Sequence, residues 1–309
     1  MASVDTSLPT RPTGAAASFA ESHAAEHDLK LYGGWFCPFV QRSWIVLHEK
    51  RIPHQYVEIN PYHKAPEFLA LNPRGLIPTL AVPSSGSGDE GRNGSGADDG
   101  EGESKGHGQR QGKEEKPLYE STIICEYLDE AYSSPAAHGA PLLPRGESSE
   151  ATYERARCRL WIDHVGGKIV PGFYKVLQHT AEKGYTIESA REEFLRHIRT
   201  FVQEMDDGGP WFLGEKFSLV DVMLAPWAKR LFLIDHYKIG GVGIPERGGE
   251  GDDEIWERWR VWFAAIGERE SVRDTWSEEE MYVRAYKRYA DDTTQSEVAR
   301  ATRKGEKLP

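Results

Sequence analysis

The apolar periodicity of this chain changes once, near Tyr132, and the change dictates two domains of different construction. Before it, short β-like runs alternate with helical ones: a strand over 29–32, a helix over 38–50, a strand over 55–59, a short helix over 66–71 and a strand over 79–82. A strand over 117–119 and a helix over 121–132 complete the order β-α-β-α-β-β-α, so residues 29–132 are predicted to form an α/β domain. Residues 133–146 hold three prolines and two glycines and read as a linker. Only helical patterning follows, over 148–180, 187–206, 219–236, 254–267 and 277–290, which predicts an all-α domain over 147–290. A chain of 309 residues is long enough for each to own a core.

One stretch interrupts the first domain. Residues 84–116 hold 10 of the 31 glycines, eight acids and five bases, with no Val, Ile, Leu, Met or aromatic residue. Such a composition cannot offset its ordering entropy, which predicts a disordered insertion between the third and fourth strands. Lengthening a hairpin loop from about four to about 33 residues adds roughly 2 kcal/mol of closure entropy, which a stable domain tolerates. Gly102-Glu103-Ser104-Lys105-Gly106 satisfies the hydrolase GxSxG pattern but lacks the flanking strand and helix that would hold a nucleophilic serine. Asn93-Gly94-Ser95 is a glycosylation sequon that matters only after secretion. Residues 1–28 carry Asp5, Glu21, Glu26 and Asp28 without an apolar h-region, and read as a flexible extension, not a signal peptide. The polar end, 291–309, is predicted to fray.

With 38 Lys+Arg against 49 Asp+Glu, the net charge of −11 gives no overall attraction to phosphate backbones or anionic lipid. Nucleic-acid and membrane-surface roles are therefore disfavoured, and no run approaches the ~18 apolar residues of a membrane span. Cys37, Cys125 and Cys158 are too few and too scattered for a disulfide framework. No CxxC or Cys/His cluster suggests a metal, and a reducing cytoplasmic location fits best.

The strongest chemical signal is Trp35-Phe36-Cys37-Pro38-Phe39-Val40-Gln41-Arg42, directly after the first strand. Proline suits the first helical position, where its missing N–H would be unpaired anyway, and this makes Cys37 the N-cap. A thiol there meets unpaired helix amides and the positive end of the helix dipole, both of which favour the thiolate. At a thiol pKa of about 8.5 only a few per cent is thiolate at pH 7, whereas near 6 roughly nine-tenths is. Cys125, inside the amphipathic run Ile123-Ile124-Cys125-Glu126-Tyr127-Leu128, and Cys158 are expected to be small buried hydrophobes. With no second cysteine at CxxC spacing, any resolving thiol must come from outside the chain.

A second local signature is structural. In Phe217-Ser218-Leu219-Val220-Asp221-Val222, Ser218 can cap the amide at Asp221, the carboxylate can return the bond, and Phe217 can staple onto Val222. Asp221 is therefore read as a fold-stabilising cap and not as a catalytic acid.

Together, Cys37-Pro38-Phe39 after strand one, Leu76-Ile77-Pro78-Thr79-Leu80 at strand three, Leu118-Tyr119-Glu120-Ser121 at the last turn and Phe217 to Asp221 in the helical part resemble the cytosolic glutathione transferases over about 29–289. The Cys-Pro-Phe-x-x-Arg form is similar to the omega class, particularly its fungal omega-like members. The resemblance implies a thioredoxin-like N-terminal domain, an all-helical C-terminal domain that sets the acceptor site, and glutathione as co-substrate. It makes Cys37 the catalytic residue that forms a mixed disulfide with glutathione. Pro78 corresponds to the family's cis-proline, and Ile77 to the residue whose backbone pairs with the cysteinyl unit. Glu120 and Ser121 correspond to the pair that holds the γ-glutamyl end, consistent with a helix N-terminus receiving a carboxylate. Lys64 falls near the glycyl carboxylate, Phe39 lies beside the tripeptide, and Trp227 matches an aromatic of the acceptor pocket, with Tyr174 and His164 on helices facing the same cleft. The 84–116 insertion and the N-terminal extension are not usual omega features.

The activity this implies is thiol transfer or glutathione-dependent reduction, acting on a mixed disulfide or a small electrophile such as dehydroascorbate, in a homodimer. Two alternatives share the fold: a non-catalytic binding, regulatory or chloride-channel-like protein, and a conjugating transferase of secondary metabolism. The intact Glu120-Ser121 pair and Pro78 favour use of glutathione, and the acidic charge disfavours membrane insertion.

Overall fold

A computed structural model of the chain describes residues 9–84 and 115–308. The first domain is a four-stranded sheet of β1 (Lys30–Gly33), β2 (Gln55–Glu58), β3 (Thr79–Pro83) and β4 (Glu115–Tyr119) in the order β2-β1-β3-β4. β1 runs parallel to β2, with Leu31 beside Tyr56, because the intervening helix carries the chain back to the starting edge. β3 is antiparallel to both β1 and β4, placing Leu80 opposite Leu31 and Leu118. Helix α2 (Pro38–Glu49) packs against α4 (Ser121–Ala131) through a core that includes Val40, Trp44, Ile124 and Leu128. Helix α3 (Pro66–Leu71) sends Phe68 under Tyr32. This is the thioredoxin-like order expected from the sequence.

The glycine-rich insertion lies, but for its edges, outside the described residues. Its far edge does not match the expectation, since Glu115 and Lys116 already belong to β4, where Glu115 pairs with Lys30 at 2.6 Å.

After a short turn α5 (Pro135–His138), every further element is helical. The helix predicted over 148–180 is three pieces: α6 (Ser149–His164), a π turn (Val165–Ile169) and α7 (Val170–Leu177). Gly166 and Gly167 inside that turn supply the slack that a wider turn needs. α8 (Ile187–Val202) follows, and the run predicted over 219–236 breaks at 229–231 into α9 (Leu219–Ala228) and α10 (Phe232–Tyr237). α11 (Glu254–Glu268), α12 (Glu270–Asp274) and α13 (Glu279–Ala290) complete the bundle.

The domains share one face: α2 lies against α9 and α12. Glu49 at the end of α2 receives the Arg269 guanidinium at 2.8 and 2.6 Å and the Ser271 hydroxyl. Lys50 and Arg145 both reach the buried Asp129, at 3.0 and 2.9 Å.

Both ends differ from the flexible segments expected. Within the extension, α1 (Gly14–Ser22) docks on α12, and the smallness of buried Ala16 lets its amide approach the Trp276 carbonyl at 3.3 Å. Thr13 N donates to Ser277 Oγ, Glu278 N donates to Thr13 Oγ1, and Trp35 Nε1 donates to the Pro9 carbonyl at 2.8 Å. At the other end, α14 (Glu297–Lys304) is capped by Ser296 and packs on α7. Composition hid this because small residues, Thr294 and Ala299, do the burying, while charges such as Asp292 are neutralised by Lys183 and Arg303.

Candidate active site

β1 delivers the chain to a tight turn at Gly33 and Gly34. A Cβ on Gly33 would sit 2.4 Å from Val40 Cγ1, so only glycine lets the strand end this close to the helix that follows. The Cys37 amide donates to the Gly34 carbonyl at 2.9 Å, and Cys37 enters α2 with extended backbone ahead of Pro38. The expected N-cap is therefore present, but the expected depression of the thiol is not. Burial pushes the Cys37 thiol up, and outweighs the Val40 and Phe39 amides and the Arg230 and Arg42 guanidiniums that pull it down. Cys125 and Cys158 are fully buried with thiols pushed up to about 12 by burial, as small core residues should be.

Cys37 opens into a cleft of about 760 Å³ between the domains. Phe39, Lys64, Ile77, Pro78, Glu120 and Ser121, spread over 83 residues of sequence from Phe39 to Ser121, line the same cleft. The Ile77-Pro78 peptide is cis, and Asn72 secures its turn by donating to the Leu76 carbonyl and to Thr79 Oγ1 at 3.2 and 2.9 Å. Glu120 precedes α4 with φ of 68°, a left-handed position unusual for a non-glycine residue, and its carboxylate accepts from Arg74 Nη1 at 2.9 Å. Ser121 Oγ accepts from Arg42 Nη1 at 3.2 Å, which leaves its own proton free to be donated elsewhere.

The acceptor residues proposed from the sequence are not in this cleft. Trp227 and Tyr174 are buried core side chains: Trp227 packs edge-on to Phe39 at 4.8 Å and under Arg42 at 4.4 Å, and Tyr174 packs against Phe173 and Tyr289. His164 turns toward α8, where its Nε2 lies 3.0 Å from the His197 carbonyl. This wall of the cleft is instead marked by Ile162 and Asp163 at the end of α6 and by Gly166 and Gly167 in the π turn that follows, where the spacing departs from the α-helical 3.6-residue phase. The opposite wall comes from Arg288, Tyr289 and the C-terminal segment, including Ser296 and Val298. Arg288 Nη1 donates to Tyr62 Oη at 3.0 Å and Tyr62 Oη lies 3.4 Å from Thr294 Oγ1, tying that segment to the loop bearing Lys64. No local motif announced any of these residues; the polar composition of 291–309 pointed away from them.

Beneath the turn, Glu58 accepts from Trp35 N at 3.1 Å and from Tyr56 Oη at 2.7 Å. Burial pushes its carboxyl up to about 7, against the downward pull of those two donors. A carboxyl raised on folding binds its proton more tightly in the folded state. Its contribution to stability is complete below the ordinary carboxyl range and is lost as pH rises through about 7. Glu58→Gln should therefore be more stable than the parent at pH 8 by on the order of 2 kcal/mol, with the gap closing at pH 5, as read by calorimetry at both pH values.

Among the described residues no helix is long and apolar enough to cross a membrane. Residues 36–131 match the family model of the glutathione S-transferase N-terminal domain, and residues 152–265 that of the C-terminal domain. The chain is 29% identical over 205 residues to glutathione S-transferase omega-1 of Sus scrofa, covering 66% of this chain and 67% of that one. The crystal structure of glutathione transferase Omega 3C from Trametes versicolor is 36% identical, superposes with a TM-score of 0.66, and covers 88% of this chain and 99% of its own. A rice transferase solved in complex with glutathione shares the fold at 24% identity and a TM-score of 0.62, covering 87% of this chain and 100% of its own. With both domains matched in order and Cys37 at the head of α2, the chain belongs to the glutathione S-transferase family, among omega-class relatives.

Proposed function

We propose that this protein is a glutathione-dependent thiol transferase that works through a Cys37-glutathione mixed disulfide, as a homodimer in a reducing compartment. The observation that carries the reading is the convergence of Cys37, Pro78, Glu120 and Ser121 on one cleft whose thiol is the only one of three placed to react. The Cys37 thiolate attacks the glutathionyl sulfur of a mixed disulfide; the S–S bond breaks and the other sulfur leaves as a thiolate that takes up a proton. A second glutathione, as thiolate, then attacks the glutathionyl sulfur on Cys37, forming oxidised glutathione and releasing the Cys37 thiolate. In this scheme Glu120 receives the ammonium of the γ-glutamyl end and Ser121 donates to its carboxylate, with Ile77 pairing to the tripeptide backbone, Lys64 near the glycyl carboxylate and Phe39 alongside.

Intact-mass spectrometry after incubation with oxidised glutathione tests the reading. The expected result is a gain of one glutathionyl unit that vanishes in Cys37→Ser; a gain that persists in the variant overturns it.

The acceptor half is testable separately. A Cβ on Gly166 would have no heavy atom within 4 Å, so a side chain there projects into open cleft without disturbing the core. Gly166→Phe should raise KM for a bulky mixed disulfide by on the order of tenfold, while the rate of Cys37 modification by oxidised glutathione stays within about twofold.

A further inference from the structure

Two arginines behind Cys37 are buried without a carboxylate partner. Arg230 is 0% exposed; its Nη1 donates to Gln41 Oε1 at 2.6 Å and to the Pro226 carbonyl at 2.7 Å, and its Nη2 to the Phe36 carbonyl at 3.3 Å. Its faces rest on Tyr282 and Trp276, at 4.6 and 5.1 Å from the ring centroids, and its Nε has no partner. Arg42 is 3% exposed and donates from Nε and Nη2 to the Met223 carbonyl and from Nη1 to Ser121 Oγ. Among the described residues neither guanidinium makes an ion pair. Every partner is a neutral oxygen or an aromatic face.

Burying a cation without an anion is unfavourable, even after hydrogen bonds and π faces are counted. Elsewhere among the described residues buried charge is compensated: Lys50 meets Asp129, and Asp221 meets four donors. The exception is confined to the layer between α2 and α9, and the Phe36 carbonyl that Arg230 holds is the one directly before Cys37. An acid in this layer would cancel the field where an anion must form.

We propose that Arg230, with Arg42 as the second cation, is a positioning residue that holds positive potential at the Cys37 sulfur, so that the thiolate formed in the reaction is their missing counter-ion. The inference rests on Cys37 being the nucleophile. The other titratable groups acting on Cys37 from the surrounding elements are phenols, Tyr56 of β2, Tyr174 of α7, and Tyr286 and Tyr289 of α13, with Glu58 behind Tyr56. All four phenols are pushed up by burial, so among the charged groups facing Cys37 the guanidiniums are the ones that favour the thiolate, alongside the Val40 and Phe39 amides.

The test is the pH dependence of Cys37 alkylation by iodoacetamide, read peptide by peptide so that Cys125 and Cys158 serve as internal controls. Arg230→Met keeps volume and removes charge, and should move the midpoint up by about one unit, slowing the reaction at pH 7 about tenfold. Arg230→Lys should restore the midpoint toward that of the parent. Should Arg230→Met fail to fold, Gln41→Glu carries the test: it places a carboxylate on the Arg230 guanidinium and should raise the midpoint in the same direction. A folded Arg230→Met or Gln41→Glu with an unmoved midpoint overturns the proposal. Failure of Cys37 in the parent protein to react at any pH overturns instead the reading of Cys37 as nucleophile.

Discussion

Cys37→Ser is expected to lose glutathione-dependent thiol-transferase turnover by at least about a hundredfold, because a hydroxyl can neither be displaced from nor form a disulfide. The same substitution should bring up a weak conjugating activity toward aryl halides, since a hydroxyl at the head of α2 can donate a hydrogen bond to the thiolate of bound glutathione. The two assays move in opposite directions, which separates a lost nucleophile from a damaged cleft. Retained thiol-transferase turnover in the serine variant would refute the mixed-disulfide route. The small change in side-chain volume and the partial exposure of Cys37 predict an unaltered melting temperature.

Asp221→Ala should do the reverse. The carboxylate is fully buried and accepts from the Phe212 amide, the Ser218 amide and hydroxyl, and the Trp262 indole, all between 2.7 and 2.9 Å. Alanine would leave all four of those donors without their acceptor, among them the Ser218 amide of the α9 capping box. A loss of about 3 to 5 kcal/mol follows, or on the order of 10 °C in Tm for a chain of this size. Turnover per folded molecule should remain within about twofold, because Asp221 does not line the cleft. Equal stability with lost turnover would show that the carboxylate has a chemical role.

The local signatures were legible for physical reasons. The capping box at Ser218 and Asp221 and the proline at the head of α2 are written in neighbouring residues, and so is the sheet order, because a β-α-β unit followed by a hairpin leaves little choice of topology. Phe217, by contrast, packs against Trp211 and Arg269, partners that no helix-start rule supplies. Trp227, Tyr174 and His164 are not placed by sequence because facing depends on helical phase and on long-range packing: Trp227 turns inward onto Phe39 and Arg42, His164 turns toward α8, and a π turn separates Tyr174 from α6. Arg230 carries no sequence signal for a related reason. Its contacts with Phe36 and Gln41 span 194 and 189 residues, so nothing near Arg230 in sequence marks it as unusual. The thiol itself shows the limit of arguing from one element: helix amides do favour the thiolate at Cys37, yet the burial imposed by the second domain outweighs them.

The docking of α1 against residues near α12 also bears on how the molecule is made. Thr13 and its partner Ser277 are 264 residues apart, so during synthesis the first helix emerges long before the surface it needs exists. The sheet can assemble while α1 is still unattached, and the Trp35 indole can donate to the Pro9 carbonyl only once that segment is laid down. Helix α1 is thus translated well before the surface that secures it, and its protection from a protease during translation would report the emergence and docking of the α12 region.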